Sequence, residues 1–578
     1  MKYTFFAAAS FVLMSVLACG GKPDTGGGSG TGTGGGTGGG GTTTPTDPVT
    51  ANTIGFFMND WQPKNFTIPA YNDVAKPSVS PSSFVTIDAG TIITKVVPSV
   101  YSHNANSWMG DMINDVPLMN HITNLKPDII RFPGGSISDL YFWNAAPGAT
   151  PADAPAQLSD ANGTLSAASY WVGKNTAAWT VSLDKYYTML QQTGNQGMIT
   201  VNYGYARYGT SANPVAKAAH LAADWVRYDN GRTKYWEIGN ECNGTWEAGY
   251  RINTATNLDG QPQIVTGALY GQHVKVFIDS MRKAATEIGK TIYIGAYILE
   301  AQPQAWQTAT DQTWNSGLLP QVNTATDYYI IHSYYTPYQT NATATEILNT
   351  ATNNTNAMLT YYQNTITAAG NTTKPIALTE YNITSQGSKQ QVSFVNGIHA
   401  AIIMGEAIKN KYGMIARWDL ANGYNSGNDH GLFNAGDESG VVKWNPRPAF
   451  YYMQYFQRFM GDRMLKSTVL GAVLSYASSF TSGQKAVILI NRSTNNETVN
   501  VTLQNATAGA RYYWYTLTGG TDNGEFSSKV FINGEGPTEP TGGPSATYTS
   551  IKASSALTSG GINVSMPARS VVYLVMDK

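Results

Sequence analysis

The sequence predicts an α/β protein: a (β/α)8 TIM barrel followed by a C-terminal antiparallel β-sandwich domain. Between about residues 97 and 460, short apolar runs alternate with longer amphipathic stretches, the pattern of βαβ units around a parallel sheet. Eight such runs are present, as a closed barrel requires. From residue 461 to 578 the runs are short and alternating, with turn-rich stretches between them, which is typical of a sandwich. A doubly wound open sheet is the alternative for the first part, but no glycine-rich phosphate-binding fingerprint follows the first strand.

Each predicted barrel strand is a short apolar run. The eight runs are 97–101, 128–132, 198–203, 235–239, 292–296, 328–332, 376–380 and 414–418. The clearest helix is predicted between the fourth and fifth strands. There Val274, Phe277 and Met281 share one face, and Gly289 ends the periodic stretch. Further helices are predicted over about 213–228, 389–410 and 451–459.

The sandwich is predicted from the runs after the barrel and from the segment before it. The runs are 486–490, 498–501, 512–515 and 571–575. Residues 51–96, which include the alternating run 84–87, are predicted to add strands to this domain before the barrel begins.

Residues 1–19 have the pattern of an export signal, with Lys2 ahead of an apolar run that is too short for a permanent membrane span. The stretch from Ser15 to Gly20 resembles the lipobox of bacterial lipoproteins, which implies cleavage before Cys19 and acylation of its thiol. Ordinary secretion is the alternative. We therefore expect an exported protein, either an outer-membrane or cell-surface lipoprotein or a secreted one, with membrane contact only through a lipid on Cys19.

Residues 20–50 are a glycine- and threonine-rich linker that cannot bury a core. The chain as a whole has 36 basic and 37 acidic side chains, and only 13% of its residues are charged. This balance excludes a basic face for nucleic acid, and 42% hydrophobic residues exclude a disordered chain. The 35 tyrosines and 13 tryptophans suit a neutral partner such as a polysaccharide or oligosaccharide.

Two carboxylates follow predicted strands on roughly opposite sides of the barrel. Glu241 comes just after the fourth strand, and Glu380 ends the seventh. Because active sites of these barrels lie at the carboxyl ends of the strands, the two groups are expected to face each other. A facing pair of carboxylates is what cleavage of a glycosidic bond requires. Helix capping or a surface ion pair is the alternative for either residue alone.

Four short motifs resemble those of retaining glycoside hydrolases of clan A, in particular their arabinofuranosidase-type (β/α)8 members. They are Arg131-Phe132-Pro133-Gly134-Gly135, Trp236-Glu237-Ile238-Gly239-Asn240-Glu241, His332-Ser333-Tyr334-Tyr335 and Leu378-Thr379-Glu380-Tyr381-Asn382. They occur in the family's order, each at a predicted strand end. The resemblance covers the barrel from about residue 97 to 460.

The resemblance implies a role for each motif. Glu241 would be the general acid/base, with a pKa raised by Glu380 and by burial, and Glu380 would be the nucleophile. Arg131 and Tyr334 would hydrogen-bond Glu380 and keep it ionised. Asn240 would bind the 2-hydroxyl of the sugar. His332 would orient Glu241 or the sugar, although a core histidine is the alternative.

Other predicted substrate-binding residues are Trp418, Tyr205, Asn104 and Ser136. Trp418 and Tyr205 would stack on sugar rings. Ser136 stands where the arabinofuranosidases have an asparagine, and the stretch after the first strand, with Asn104, lacks their furanose-binding glutamate. Both departures weaken an assignment to furanosides. No cluster has the spacing of a catalytic metal site, so neither metal nor cofactor is predicted.

These observations predict a retaining glycoside hydrolase that cleaves a polysaccharide by double displacement, endo-acting on a galactan, agar-type or glucan chain. An exo-acting α-L-arabinofuranosidase and a non-catalytic surface glycan-binding lipoprotein are the alternatives. A periplasmic solute-binding protein would need two similar lobes, which the sequence lacks.

Overall fold

The computed structural model describes residues 45–387, 389–424 and 430–578. The predicted signal segment, Cys19 and most of the predicted linker lie outside the described residues. None of the helices in the described part of the chain combines the length and apolar character needed to cross a membrane.

Eight parallel strands close into a barrel, as the sequence predicts. In chain order the strands are Ser102–Asn104, Ile129–Phe132, Gln196–Val201, Thr233–Ile238, Tyr293–Tyr297, Tyr328–Tyr334, Ile376–Asn382 and Met414–Arg417. Each strand pairs with the next in parallel, and the eighth pairs with the first through Arg417 and His103. Because the strands are parallel, all of their carboxyl ends meet at one face, where loops bring side chains together.

Helices follow the strands around the barrel. They are Val116–Leu125, Leu183–Thr193, Gly204–Tyr208, Pro214–Asp229, Gly267–Glu287, Ala309–Val322, Ala344–Ala368, Phe394–Lys409 and Pro448–Phe459. The helix Phe394–Lys409 is buried on nearly every side because it lies between the barrel and a large sheet. Tyr476 of that sheet donates a hydrogen bond to Glu406 on this helix, at 2.9 Å.

The prediction of the first barrel strand at 97–101 is wrong, because the strand begins after this segment. Pro98–Tyr101 is a 3-10 helix, and the barrel strand is Ser102–Asn104 directly after it. Proline has no backbone N–H to give to a ladder and fits the first position of a helix, which explains the difference.

The segments on either side of the barrel form one mainly antiparallel sheet. Its strands are Tyr71–Asp73, Ser83–Lys95, Arg463–Leu470, Val473–Ser479, Lys485–Asn491, Glu497–Gln504, Arg511–Gly519, Val530–Ile532, Ala553–Leu557, Ile562–Met566 and Ser570–Met576. Alternate residues of these strands contribute to two separate hydrophobic cores, one shared with the barrel helices. The sheet is continuous, so its closure into a sandwich stays a prediction, but residues 71–95 join the C-terminal strands as expected.

Residues 55–60 depart from that expectation. They form a 3-10 helix whose Phe56 stacks on Tyr293, with ring centroids 3.8 Å apart. Tyr293 begins the fifth strand, so this helix covers the amino end of the barrel, opposite the predicted site.

The remaining short elements lie in loops. They are the 3-10 helices Ser107–Met109, Gly135–Leu140 and Gly524–Phe526 and the paired segments Tyr141–Phe142 with Trp171–Val172, Gln157–Ser159 with Leu165–Ala167, and Ala421–Asn422 with Phe433–Asn434.

Candidate active site

Glu380 lies at the end of the seventh strand, where it accepts hydrogen bonds on both carboxylate oxygens. Arg131 donates to Oε1 at 2.8 Å, and the hydroxyl of Tyr334 donates to Oε2 at 2.9 Å. A register shift in the sixth strand pairs His332 with Glu380 across the sheet and brings Tyr334 to the same edge. The predicted contacts of Arg131 and Tyr334 are therefore present.

Arg131 is fully buried and connects four strands. Besides Glu380 it donates to Glu237 on the fourth strand, to Asn104 Oδ1 at 3.0 Å and to Asn240 Oδ1 at 2.9 Å. A guanidinium with its donors engaged in this way holds the nucleophile position rigidly. Since it has no exposed surface, Arg131 acts through Glu380 and Asn240 rather than by binding a substrate directly.

Glu241 lies just beyond the fourth strand because the chain turns sharply there. Gly239 has φ +72°, and Glu241 itself has φ +39°, a left-handed conformation that is costly for a residue with a side chain. Its Oε1 is 2.8 Å from His332 Nδ1, and its Oε2 accepts the indole N–H of Trp246 at 3.1 Å. The other nitrogen of His332 is 3.0 Å from the hydroxyl of Thr379, which fixes the ring.

Asn240 is held from both its backbone and its side chain. Its N–H donates to buried Asp139 at 3.1 Å, and Asp139 also accepts the N–H groups of Tyr203 and Gly204. The side-chain Nδ2 donates to Glu247 at 2.9 Å. Burial raises the pKa of Asp139 to about 7, although these backbone donors oppose the rise.

The electrostatics of the free site correct one expectation. Burial alone would raise the pKa of Glu241, but the hydrogen bond and positive charge of His332 outweigh it, so the pKa lies below its ordinary value. Burial opposes a charge on His332, yet Glu380 and Glu241 raise its pKa. Both directions favour a charged imidazole on His332 beside an ionised Glu241. Sequence reasoning missed this because it considered the second carboxylate but not the imidazole in contact.

For Glu380, burial has the largest effect and raises the pKa, while the charges of His332 and Arg131 oppose it. Burial lowers the pKa of Arg131, but the negative charges of Glu237 and Glu380 raise it by more, so the guanidinium stays charged.

The remaining predicted substrate-binding residues lie in different surroundings. Asn104 is fully buried, with Nδ2 donating to Thr379 O at 2.8 Å and Oδ1 accepting from Arg131, so a substrate-binding role for it stays a prediction. Ser136 is exposed and donates to Glu247 at 2.8 Å. Tyr205 is buried against Phe142 and donates to Asp153 at 2.7 Å, so a sugar-binding role for it stays a prediction.

Trp418 follows the eighth strand and lies against the loop after the second. A Cβ on Gly135 would be 2.7 Å from the ring of Trp418, so glycine is needed for this close approach. Trp108 packs edge-on to the same ring at 5.9 Å. The indole thus forms part of a rigid wall beside Pro133-Gly134-Gly135.

Three residues near the carboxylates were not predicted. Glu247 accepts from Asn240 and Ser136, and burial raises its pKa well above the ordinary value. Burial raises the pKa of Glu300, in the loop after the fifth strand, to about 7, with Glu241 adding to the rise. Glu237 occupies the strand interior, where it pairs with Arg131. The sequence did contain a signal for Glu237, because a carboxylate inside an apolar strand such as Trp236-Glu237-Ile238 needs a buried partner. The sequence contained no comparable signal for Glu247 or Glu300.

The three groups Glu241, His332 and Glu380 each place one ligand-type atom within 4.8 Å of the others. Of the described residues, they are the one group with the composition of a metal site. Arg131 supplies a fixed positive charge 2.8 Å from Glu380 and satisfies that carboxylate without an ion. Two facing carboxylates, one paired with a proton-carrying imidazole, can deliver a proton and attack an electrophilic carbon.

A parallel (β/α)8 barrel with a facing carboxylate pair at its carboxyl face is an arrangement that glycoside hydrolases use. A family model described as the alpha-L-arabinofuranosidase 1 domain matches residues 121–355, which include Arg131, Glu241 and His332 but not Glu380. The predicted resemblance to arabinofuranosidase-type glycoside hydrolases of clan A is thereby confirmed.

Solved structures agree on the fold. An α-L-arabinofuranosidase from Thermotoga maritima is 15% identical with a TM-score of 0.58, covering 86% of this chain and 99% of that chain. A family 44 xyloglucanase from Paenibacillus polymyxa is 11% identical with a TM-score of 0.56, covering 86% and 100%. CelM2, a bifunctional glucanase-xylanase from a metagenome library, is 14% identical with a TM-score of 0.54 and the same coverage. No curated protein matches the sequence.

Proposed function

We propose that this glycoside hydrolase cleaves internal O-glycosidic bonds of a neutral or weakly anionic polysaccharide with retention of configuration. One observation carries the retaining assignment: an oxygen of Glu241 and an oxygen of Glu380 lie within 4.8 Å. Retaining enzymes have carboxyl groups about 5–5.5 Å apart, whereas inverting enzymes need about 6.5–9.5 Å to admit a water. The short approach of the two carboxylates favours the retaining arrangement.

In the first step, Glu241 donates a proton to the glycosidic oxygen while Glu380 attacks the anomeric carbon. The bond between that carbon and the leaving oxygen breaks, and an ester between Glu380 and the sugar forms. Arg131 and Tyr334 hold the attacking carboxylate by the contacts described above. His332, whose Nδ1 is 2.8 Å from Oε1, orients Glu241, and the donated proton is carried on the other oxygen, Oε2.

In the second step, Glu241 accepts a proton from water as the water oxygen attacks the anomeric carbon. The ester bond to Glu380 breaks, and Glu241 is again protonated. Asn240, held by Arg131 and Glu247, is placed to bind the 2-hydroxyl as charge develops on the sugar.

The proposal of an extended, endo-acting cleft rests on exposed aromatic side chains. They lie in loops at the carboxyl ends of the second, fourth, fifth and sixth strands: Trp179, Trp246, Trp306 and Tyr338, which are 59%, 65%, 83% and 70% exposed. Large apolar groups left in water on one face are typical of a binding surface, and aromatic rings stack on the C–H faces of pyranoses. A glucan, galactan or agar-type chain fits such a row of platforms.

An exo-acting α-L-arabinofuranosidase is the second candidate, because the matching family model carries that description. Two features weigh against it. The residue at the end of the first strand, Asn104, is buried and holds Arg131, and Ser136 is hydrogen-bonded to Glu247.

The test is hydrolysis of a panel containing β-glucan, xyloglucan, xylan, galactan, agarose and arabinan, together with an aryl α-L-arabinofuranoside. Internal cleavage of one polysaccharide, with product of retained configuration by NMR, would support the proposal. Azide should rescue Glu380→Ala and give a glycosyl azide of inverted configuration. Release of arabinose alone would favour the second candidate, and an inverted product in the wild type would overturn retention.

A further inference from the structure

Trp246 combines an exposed ring with a fixed position beside the acid/base. The side chain is 65% exposed. Hydrogen bonds from Gly244 N to Glu241 O, at 2.6 Å, and from Glu247 N to Gly244 O, at 3.0 Å, shape the loop on both sides of it. The ring lies directly against Gly244, because a Cβ there would be 2.6 Å from Trp246 Cε2. An exposed indole is seldom this constrained unless something holds it.

The contact that completes this arrangement is the 3.1 Å hydrogen bond from Trp246 Nε1 to Glu241 Oε2. The other oxygen, Oε1, is occupied by buried His332. Oε2 is therefore the oxygen that the buried imidazole leaves to a partner on the loop. An indole N–H is only a donor, so while it is bound there Oε2 serves as an acceptor and has no proton to give.

We propose that Trp246 is a substrate-displaced latch: its N–H occupies Glu241 Oε2 in the free protein, and the sugar on the leaving-group side stacks on its ring and releases that oxygen. The inference rests on the proposed function. Once the N–H has moved away, Oε2 is free to take up a proton and to meet the glycosidic oxygen. Glu241 thus becomes an acid only when a leaving-group sugar is present, which favours chain cleavage over shorter substrates.

Electrostatics agree with this geometry. The hydrogen bond from Trp246 is one of the contacts that lower the pKa of Glu241, after those of His332. Removing the N–H must therefore raise the pKa of Glu241. The Glu241–His332 pair loses its shared proton as pH rises, and without a donor that favours the ionised carboxylate the pair holds that proton more tightly, so the basic limb of kcat/KM should move to higher pH.

The first experiment needs no substrate. In the full chain labelled with ¹⁵N at the tryptophan indoles, Trp246 is identified as the signal missing from Trp246→Phe. Its N–H proton should resonate downfield in the wild type relative to Glu241→Gln, since a hydrogen bond to a carboxylate is stronger than one to an amide. An identical shift in the two proteins would overturn the latch.

The second experiment separates the N–H from the ring. Trp246→Phe keeps a ring without the donor, and Gly244→Ala keeps the indole but pushes it from Glu241. Both should move the basic limb of kcat/KM on the cleaved polysaccharide to higher pH. Trp61→Phe, at an indole that donates to Asp462 O and directly follows the 3-10 helix at the amino end of the barrel, is the control and should leave the profile in place. Profiles that stay at the wild-type position in both variants would contradict the proposal.

Trp246→Ala tests the platform. It should raise KM for the polysaccharide roughly tenfold, the loss expected for one ring-stacking contact. A glycosyl fluoride of the same sugar has no leaving-group sugar and needs no acid, so its hydrolysis should stay near the wild-type rate. Equal losses on both substrates would assign Trp246 a structural role instead. If the wild type cleaved nothing in the panel, both the proposed function and the stacking role of Trp246 would be contradicted. The NMR comparison would still show whether Trp246 donates a hydrogen bond to Glu241.

Discussion

At the residue scale, the two catalytic carboxylates are distinguished by their neighbours. Glu380 accepts from Arg131 and Tyr334, which are suited to stabilise a negative charge. Glu241 accepts from His332 and Trp246, one of which can carry a proton and one of which can move. These different neighbours support the proposal that Glu380 is the nucleophile and Glu241 the acid/base.

We expect Glu380→Gln and Glu241→Gln each to lower kcat roughly 10³-fold or more on the natural glycan, because each removes a group that makes or breaks a bond. Initial rates on the cleaved polysaccharide measure this. Glu287→Gln, at an exposed glutamate that pairs with Arg227, is the control for loss of a surface charge. Wild-type activity in either active-site variant would rule out its assigned role.

Glu247 illustrates a carboxyl group that acts as a neutral acceptor. Burial and the nearby charges of Asp139 and Glu241 raise its pKa well above the ordinary value, which favours the neutral carboxyl form. Its Oε1 accepts from Asn240 and Ser136. A neutral carboxyl group and the side-chain amide of glutamine both have a carbonyl oxygen that can accept these two hydrogen bonds.

We therefore expect Glu247→Ala to lower kcat about ten- to a hundredfold by freeing Asn240, and Glu247→Gln to recover most of that loss. Comparing kcat and KM of the two variants measures it. If glutamine were as damaging as alanine, the charge of Glu247 rather than its acceptor oxygen would be needed.

At the element scale, the loop after the second strand depends on a glycine at position 135. Gly135 has φ +58°, and the ring of Trp418 lies where its Cβ would be. Gly135→Ala should therefore destabilise the protein by about 1–3 kcal/mol and lower activity by displacing Trp418. Thermal unfolding and initial rates test this.

Gly148→Ala is the matched control for that variant. Gly148 has φ +75° but nothing within 4 Å of its Cβ position, so it carries backbone strain without a clash. Equal effects of the two substitutions would show that contact with Trp418 is unimportant.

Asp128, directly before the second strand, makes the free energy of unfolding depend on pH. Burial, reinforced by Asp60, raises the pKa of Asp128 to about 6. The folded state then binds more protons than the unfolded state between about pH 4 and pH 6, so stability falls as pH rises through that range. The cost is at most about 3 kcal/mol above pH 6, at about 1.4 kcal/mol for each pKa unit.

Asp128→Asn should remove this cost, since an amide oxygen can still accept from Gln196. We expect a higher melting temperature than wild type above pH 6 and no gain near pH 4. Asp279→Asn, on an exposed helix position, is the control. A gain that did not depend on pH would contradict the assignment to Asp128.

At the scale of the whole molecule, the barrel and the large sheet share one hydrophobic core across the helices Phe394–Lys409 and Pro448–Phe459. Tyr573 of the sheet donates to Tyr452 O at 2.7 Å in this region. The sheet is therefore part of the support for the seventh and eighth strands, which carry Glu380 and Trp418.

We propose export with lipid attachment at Cys19. In a bacterial host that processes lipoproteins, the wild type should incorporate labelled palmitate and fractionate with membranes, and Cys19→Ala should do neither. An unlabelled wild type recovered from the soluble exported fraction would support ordinary secretion instead.

Sequence patterns predicted most of the barrel because each parallel strand is a continuous apolar run between periodic helices. They failed at residues 97–101, where Pro98 favours a 3-10 helix within an equally apolar stretch. They located Glu241, Glu380, Arg131 and Tyr334 because each is in a motif at a strand end. They did not predict Glu247 or Glu300, since these residues lie in loops outside the motifs and come close to the site only through the path of the loop.

The sequence by itself determined the barrel, the carboxylate pair and the class of enzyme, because these follow from local periodicity and from motifs with fixed places on strands. Only the tertiary structure decided how protons are distributed among Glu241, His332 and Glu380, that Asn104 supports Arg131, and that Trp246 lies on Glu241. Charge, burial and hydrogen bonding depend on distances between residues remote in sequence, and those distances exist only once the strands have closed the barrel.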